Sequence, residues 1–393
     1  MRMRKATSAL VGLLLAGVAA TPAHAETIRS QQWHLDAMKA QEIWKISTGK
    51  GITVAVIDTG VDRIPELEGQ VLPGAVFPVG DAPADKDNDY DGHGTGISAM
   101  IAGTGKHPSG DGAFGLAPGV KILPIRVPDM LEDAKAPSKV AAIRYAADSD
   151  AKIINISQGR SGKPEDDRDR AEAVKYALSK GKLVFASVGN TGNSTNELEY
   201  PAATPGVVGV GAVDSSGEPT NESQHGPQVD LAAPGMDIIT ACKGKTGVCK
   251  THGTSDASAL ASASAALLWS AHPDWTNNQV LRVLLNTAGK PKDGSQRNDY
   301  VGYGVVRPRV ALPAPGDPGP ADVYPLPDLA AADAVKKPSA APDGKASDSA
   351  ASTPAPQAEE KKSGNSLPWI ALGLGACVLI GGAVTVVVVR RNR

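Results

Sequence analysis

Three short segments carry side chains that together could run acyl transfer. In Val54-Ala55-Val56-Ile57-Asp58-Thr59-Gly60-Val61 an apolar run delivers a carboxylate. In Asp91-Gly92-His93-Gly94-Thr95-Gly96 a histidine stands between two glycines at the head of a small and apolar run, so little bulk hinders approach to its imidazole. In Thr251-His252-Gly253-Thr254-Ser255-Asp256-Ala257-Ser258 a serine precedes the small-residue stretch from Ala259 to Ser270. Serine nucleophiles need this set: an imidazole takes the hydroxyl proton, and a carboxylate holds the imidazole tautomer and stabilises the imidazolium. Each segment alone also has a plainer reading. Many strands end in Asp, a histidine can be structural, and Thr254 or Ser255 could cap a helix.

These segments need a frame to bring them together. From about Gly51 to Ala288, apolar β-rich runs alternate with helical stretches, the pattern of a parallel sheet covered by helices on both faces and hence of the α/β class. Ile52 to Ile57, Lys121 to Val127, Ile153 to Ile156, Leu183 to Ser187 and Val207 to Val213 are the expected strands, and their Val and Ile content suits burial on both sides. Ser138 to Asp148 and Asp167 to Lys180 have helical periodicity. Asp58 then falls at the carboxyl end of a strand, where α/β folds place ligands. Ser255 falls at a helix N-terminus, where the dipole and free N–H groups favour developing negative charge. With 393 residues, 41% of them hydrophobic, the chain can bury a sizeable core, and a net charge of -2 gives no reason to expect nucleic-acid binding. No internal repeat and no nucleotide-binding glycine fingerprint is present.

The ends imply export and tethering. Met1 to Ala25 reads as a secretory signal, with Arg2, Arg4 and Lys5, an apolar run from Ala9 to Ala20, and Ala23-His24-Ala25 as the cleavage site. Leu367 to Val389 is uncharged and about 34 Å long as a helix, enough to cross the hydrocarbon core. Arg390, Arg391 and Arg393 mark the cytoplasmic side, so a single-pass cell-membrane protein with an extracytoplasmic body and a cytoplasmic C-terminus is expected. From Pro313 the composition turns to Pro, Ala, Asp, Lys and Ser, which reads as a flexible stalk. The expected divisions are a signal over 1–25, a folded body over 26–312, a linker over 313–366, a membrane helix over 367–389 and a tail over 390–393. Cys242 and Cys249, with Gly244 and Gly247 between them, are expected to pair as a disulfide in an exported chain, whereas Cys377 is a small apolar residue of the membrane stretch.

The order Asp, His, Ser is that of subtilisin. All three segments resemble the subtilase family (peptidase family S8) over roughly Gln32 to Pro308, which implies the three-layer subtilisin-like fold with a mostly parallel central sheet and a serine endopeptidase with Asp58, His93 and Ser255 as its triad. Phe185-Ala186-Ser187-Val188-Gly189-Asn190 matches the segment whose Asn donates to the oxyanion, so Asn190 and the Ser255 N–H are the implied donors, a turn-forming Asn being the alternative. Ser157-Gln158-Gly159 resembles the segment that pairs with substrate backbone. Glu199 falls near the base of the family's primary specificity pocket and could favour Lys or Arg there, although a solvated loop residue accounts for it better. Tyr200-Pro201-Ala202-Ala203 and Leu231-Ala232-Ala233-Pro234-Gly235 are further landmarks.

Departures from the family pattern are Ala259 in place of a proline, expected to alter packing alone, and Gly96 in place of a non-catalytic histidine. Gln32-Trp33-His34-Leu35 already resembles a mature N-terminus, leaving too short a stretch for the usual inhibitory propeptide. That feature, the Pro-rich stalk and the membrane helix resemble the mycosin branch associated with type VII secretion. The branch implies a secretion complex in the membrane as neighbour and exported proteins as substrates. The alternative is a structural subunit of such a complex with proteolysis secondary. An α/β-hydrolase esterase is excluded, since it needs Gly-x-Ser-x-Gly and the order Ser, acid, His. No cofactor is expected. Asp85, Asp87, Asp89 and Asp91 alternate as a Ca²⁺ loop might, but they lack the later bidentate Glu of an EF-hand, and a solvated acidic loop accounts for them better.

Overall fold

Runs that are apolar at every position, rather than at every second one, can be buried only between two covering layers. The computed structural model shows that arrangement and describes residues 26–77, 88–128, 137–244 and 247–336. The signal, the stretch 367–389, the tail, most of the linker, Asp85 and Asp87 lie outside the described residues. Contacts divide the chain into residues 1–338 and 339–393, and all described residues belong to the first unit. No helix among the described residues is long and apolar enough to cross a membrane.

In chain order the strands are β1 (Thr53–Asp58), β2 (Ala75–Val76), β3 (Lys121–Arg126), β4 (Ile153–Ile156), β5 (Arg160–Ser161), β6 (Leu183–Ser187), β7 (Glu199–Tyr200), β8 (Val208–Val213), β9 (Leu231–Pro234), β10 (Ile238–Ala241) and β11 (Val248–Thr251). Seven form one parallel sheet in the order β2-β3-β1-β4-β6-β8-β9. β5 pairs with β7 and β10 with β11, both antiparallel. Three short helices, α1 (Ile28–Gln31), α2 (Trp33–Ala37) and α3 (Ala40–Ile43), precede the sheet. The others are α4 (His93–Ala102), α5 (Pro137–Asp148), α6 (Arg168–Ser179), α7 (Thr254–Ala271), α8 (Asn277–Thr287), α9 (Pro308–Ala311) and α10 (Asp328–Lys336).

Successive strand residues face opposite sides, which splits the interior into two cores. Val54, Val56, Leu183, Phe185 and Val210 pack with Met100 of α4, Leu260 of α7 and Val280 of α8. Ala55, Ile57, Ile154, Val184 and Ala186 pack with Ile143 of α5 and Val174 of α6. The result is the expected three-layer α/β fold. Helix α7 is buried along nearly its whole length, and its alanines and serines let it lie close to β4, β6, β8 and β9. Burying its hydroxyls requires partners. Ser258 and Ser262 donate to Asn155 Oδ1 at 2.8 and 3.0 Å, and Asn155 Nδ2 donates to Ser157 Oγ at 2.9 Å.

The N-terminal segment is tied into this body. Gln32 is fully buried, donates from Nε2 to the Phe114 and Ile239 carbonyls at 2.8 and 3.0 Å, and accepts from the Phe114 N–H at 3.1 Å. Trp33 Nε1 donates to the Met236 carbonyl at 3.0 Å.

The described part of the stalk differs from its expected form: residues 313–336 lie against the body. Arg282 of α8 donates to the carbonyls of Pro318 and Pro320 at 2.8 and 2.9 Å, and Gln279 to that of Gly319 at 3.0 Å. Tyr324 donates to the Gly206 carbonyl at 2.9 Å, the Gly206 N–H donates to Asp328 at 2.7 Å, and Leu326 is buried. A Pro-rich composition discourages a core of its own, but a strap without regular structure can satisfy its carbonyls on side chains of the body and insert single apolar anchors. A chain ending at 312 is therefore expected to melt about 5 °C below one ending at 336, from the loss of about 3 kcal/mol of apolar burial. Thermal denaturation of the two, 26–312 and 26–336, checks this; equal melting temperatures would show the strap to be energetically idle.

Candidate active site

The sheet order places β1 between β3 and β4, so the chain reverses direction of winding at the carboxyl end of β1. Such a switch point opens a crevice in α/β sheets. Asp58 is the last residue of β1 and is 1% exposed. Its Oδ1 accepts from His93 Nδ1 at 2.7 Å and from the Thr59 N–H at 2.8 Å. His93 is the first residue of α4. Only a glycine at position 94 allows that helix so near β1, since a Cβ there would sit 2.2 Å from the Gly60 carbonyl oxygen and 3.1 Å from Asp58 Cβ.

A second carboxylate holds the histidine loop. Asp89 is fully buried; its Oδ1 accepts from Thr59 Oγ1 and the N–H groups of Asp91 and Gly92, and its Oδ2 from the N–H and hydroxyl of Thr95, at 2.6 to 3.1 Å. Burial would raise its pKa, but the donors from Thr95, Gly92 and Thr59 outweigh that and hold it below the usual carboxylate range. Asp89 is thus an internal tie, not part of a solvated acidic loop, and its oxygens are spent on protein donors. Among the described residues no cluster of three or more His, Cys, Asp or Glu could hold a metal ion.

Ser255 lies in the first turn of α7, after Gly253, whose φ of 124° suits glycine and where a Cβ would meet Asn190 Nδ2 at 2.8 Å. The Ser255 hydroxyl donates to the Ser157 carbonyl at 3.1 Å, and among the described hydrogen bonds none joins it to His93. Asn190 follows β6 and accepts from the Thr254 N–H and hydroxyl at 2.9 and 3.0 Å. With its oxygen occupied in this way, Nδ2 remains as the donor end of the amide. Ser157, Gln158 and Gly159 follow β4 and are buried, with Ser157 Oγ 3.3 Å from the Ser255 carbonyl.

Glu199 is half-buried on β7, where its Oε2 lies 2.4 Å from the position of a Cβ on Gly159 and its Oε1 2.5 Å from that of one on Gly189. Gln224 donates to Oε1 at 2.8 Å. Burial raises its pKa against the opposing effects of Gln224 and Lys139. Glu199 is therefore packed beneath the two glycine-bearing segments beside Ser255 instead of waving in a solvated loop, because pairing of β5 with β7 folds it under.

Cys242 and Cys249 are joined by a disulfide at the end of the β10–β11 hairpin. That hairpin, His93, Asn190, Ser255 and Asp256 line a cavity of about 470 Å³. Larger cavities of about 560 and 780 Å³ elsewhere are lined by none of Asp58, His93, Asn190, Ser255 and Asp256.

Electrostatics favour a charged imidazole. The Asp58 charge raises the His93 pKa from 6.5 to about 9, against burial and with smaller contributions from Asp256 and Asp91. Sequence reasoning gave Asp256 no role. It is 4% exposed, Thr251 donates to its Oδ2 at 2.7 Å, and burial raises its pKa to about 6. A lone acid in an Ala- and Ser-rich buried helix was the signal that could have found it. Asp89 stood in the sequence as one of four alternating acids, with nothing local to set it apart from Asp85, Asp87 and Asp91.

Replacing Asp89 by alanine strands two hydroxyls and three N–H groups. We expect a loss of about 2–4 kcal/mol of stability in urea unfolding, and a change below about 0.5 kcal/mol would contradict the tie. Because the folded pKa of Asp89 is depressed, its contribution is present above about pH 4 and fades as pH falls through the folded value.

Residues 49–304 match the Subtilase family. Mycosin-1 of Mycolicibacterium smegmatis is 32% identical over 332 residues, covering 71% of this chain and 72% of that relative, and Mycosin-1 of Mycobacterium tuberculosis is 32% identical over 340 residues, covering 74% of each. The crystal structure of MycP1 from Mycobacterium smegmatis aligns with a TM-score of 0.66 at 31% identity, covering 77% of this chain and 89% of that one. The structure of the MycP3 protease from the type VII (ESX-3) secretion system aligns with a TM-score of 0.62 at 31% identity, covering 74% and 90%. The parallel sheet, the crevice at its switch point and these likenesses together place the chain in the subtilase family of subtilisin-like serine proteases, with mycosins among its relatives.

Proposed function

We propose that this chain is a mycosin-like serine endopeptidase with Asp58, His93 and Ser255 as its triad, tethered to the cell membrane through 367–389 with its body outside, and processing exported proteins of a type VII secretion system. The observation that carries the reading is the 2.7 Å contact of His93 Nδ1 with buried Asp58, in the crevice that also receives Ser255 and Asn190. The signal, the apolar stretch and its arginines support the tether, and the mycosin relatives support the setting.

Ser255 first turns from the Ser157 carbonyl toward His93 Nε2, a rotation about one side-chain bond. Its Oγ attacks the scissile carbonyl carbon while His93 takes the proton; Asp58 fixes the Nδ1–H tautomer and stabilises the imidazolium. The oxyanion accepts from Asn190 Nδ2 and the Ser255 N–H, each donor worth about 3 kcal/mol in the transition state. His93 then gives its proton to the leaving amine, and water releases the acyl group through the same steps in reverse order. No cofactor enters these steps. Ser157 to Gly159 form the edge along which the acyl-side backbone lies.

Asn190→Leu is expected to lower kcat by about 10²–10³-fold with little change in KM, and Ser255→Ala by about 10⁶-fold, measured on a peptide amide. An undiminished kcat in either variant would remove that residue from the mechanism. Since His93 must be neutral to act as base, kcat/KM should rise with pH toward about 9, whereas the stability contributed by protonated His93 is full below about 6.5 and lost as pH rises through about 9. A rate profile flat from pH 6.5 to 9 would contradict the raised pKa. Comparing Ser255→Ala with deletion in cells separates catalysis from scaffolding: export that fails only on deletion favours the structural role.

A further inference from the structure

Beside the nucleophile, on the side away from Ser157 to Gly159, lies a carboxylate that the steps above do not use. Asp256 follows Ser255 directly and lines the 470 Å³ cavity with His93, Ile97, Met100, Thr240 and the Cys242–Cys249 disulfide. The lining includes none of Ser157, Gln158, Gly159 and Glu199. Microscopic chemistry identifies which half of a substrate this cavity receives. The general acid must touch the departing nitrogen, so the leaving fragment lies on the His93 side of Ser255 and the acyl fragment on the other.

The charges of this wall are unevenly matched. Lys243 is held by Asp62 at 3.0 Å, Lys250 by Asp237 at 2.8 Å, and His252 by Glu222 at 2.7 Å. Asp256 Oδ2 accepts only from the uncharged Thr251 hydroxyl among the described hydrogen bonds, and exposed Asp91 lines the same cavity. The charged groups that bear on Asp256 are His93 from α4, His252 from the segment before α7, and Glu222 from the loop that holds His252. Among the described residues two lysines and a histidine of this wall are thus already matched to acids, while a nearly buried acid faces the cavity with no cation of its own apart from the catalytic imidazole.

Resting on the triad reading, we propose that Asp256 is a specificity-determining residue of the leaving-group side, selecting substrates whose first residue after the scissile bond carries a cationic side chain, Lys or Arg. The ammonium or guanidinium enters the cavity beside the disulfide and pairs with the carboxylate. A neutral side chain of the same length leaves that carboxylate uncompensated in a site the substrate has just dried, so discrimination arises from the unmet charge as much as from the contact made.

The test uses two otherwise identical peptides with Lys or norleucine immediately after the scissile bond, hydrolysed by the full-length protein in detergent. The quantity read is the ratio of their kcat/KM values, in which the ionisation of His93 cancels because both substrates need it. We expect a ratio of about ten above pH 7, falling toward one as pH drops below about 6, where Asp256 takes up a proton. Asp256→Asn, which keeps an oxygen for Thr251, is expected to give a low ratio independent of pH. A wild-type ratio near one, or flat across pH 5 to 8, overturns the proposal without any variant, as does a preference for Lys that survives in Asp256→Asn. Failure of wild type to hydrolyse either peptide would instead overturn the triad reading and this inference with it.

Discussion

The hydrogen bond between buried Asp58 and His93 is the constraint around which the site is assembled. It spans the end of β1 and the start of α4, two elements separated by a long excursion of the chain, and it must hold a carboxylate with almost no solvent access. Desolvating that carboxylate is costly unless donors replace water. The Thr59 N–H and His93 supply them to Oδ1, while Oδ2 has no partner among the described hydrogen bonds, and the approach of α4 is permitted by Gly94, where any side chain would collide with Gly60. The same charge raises the His93 pKa to about 9, so one interaction both positions the imidazole and favours its charged form.

Around this bond the molecule places two further ties. Asp89 knots Thr59, the turn before His93 and Thr95 into one hydrogen-bonded unit that joins the end of β1 to the start of α4. Asn155 does the same around Ser255, collecting Ser258 and Ser262 of α7 and passing a hydrogen bond to Ser157, whose carbonyl accepts from the Ser255 hydroxyl. Both are buried polar networks in which fixed geometry, more than net stability, is the return on desolvation.

How legible this was depends on the range of the interactions. The strands and the long helices could be read because their apolar patterns are local, and the expected span Ile153 to Ile156 coincides with β4. Asp58, His93, Ser255 and Asn190 could be singled out because each sits in a short motif with its own punctuation of glycines. Asp256 and Asp89 were missed or misjudged because their importance lies in burial, which a string of letters does not show when a polar residue is closed in by distant segments. Glu199 likewise reads as a loop residue until β5 and β7 pair over it. The strap from 313 to 336 has the composition of a linker, and only the partners offered by α8 and Gly206 turn it into part of the body.

The most direct measurement of the central claim is covalent labelling of the full-length protein with a fluorophosphonate, which reacts with an activated serine hydroxyl and mimics the tetrahedral intermediate. The account predicts stoichiometric labelling mapped to Ser255 by peptide mass analysis, slowed by orders of magnitude in His93→Ala. Labelling at another serine, or at Ser255 with an undiminished rate in His93→Ala, would contradict it.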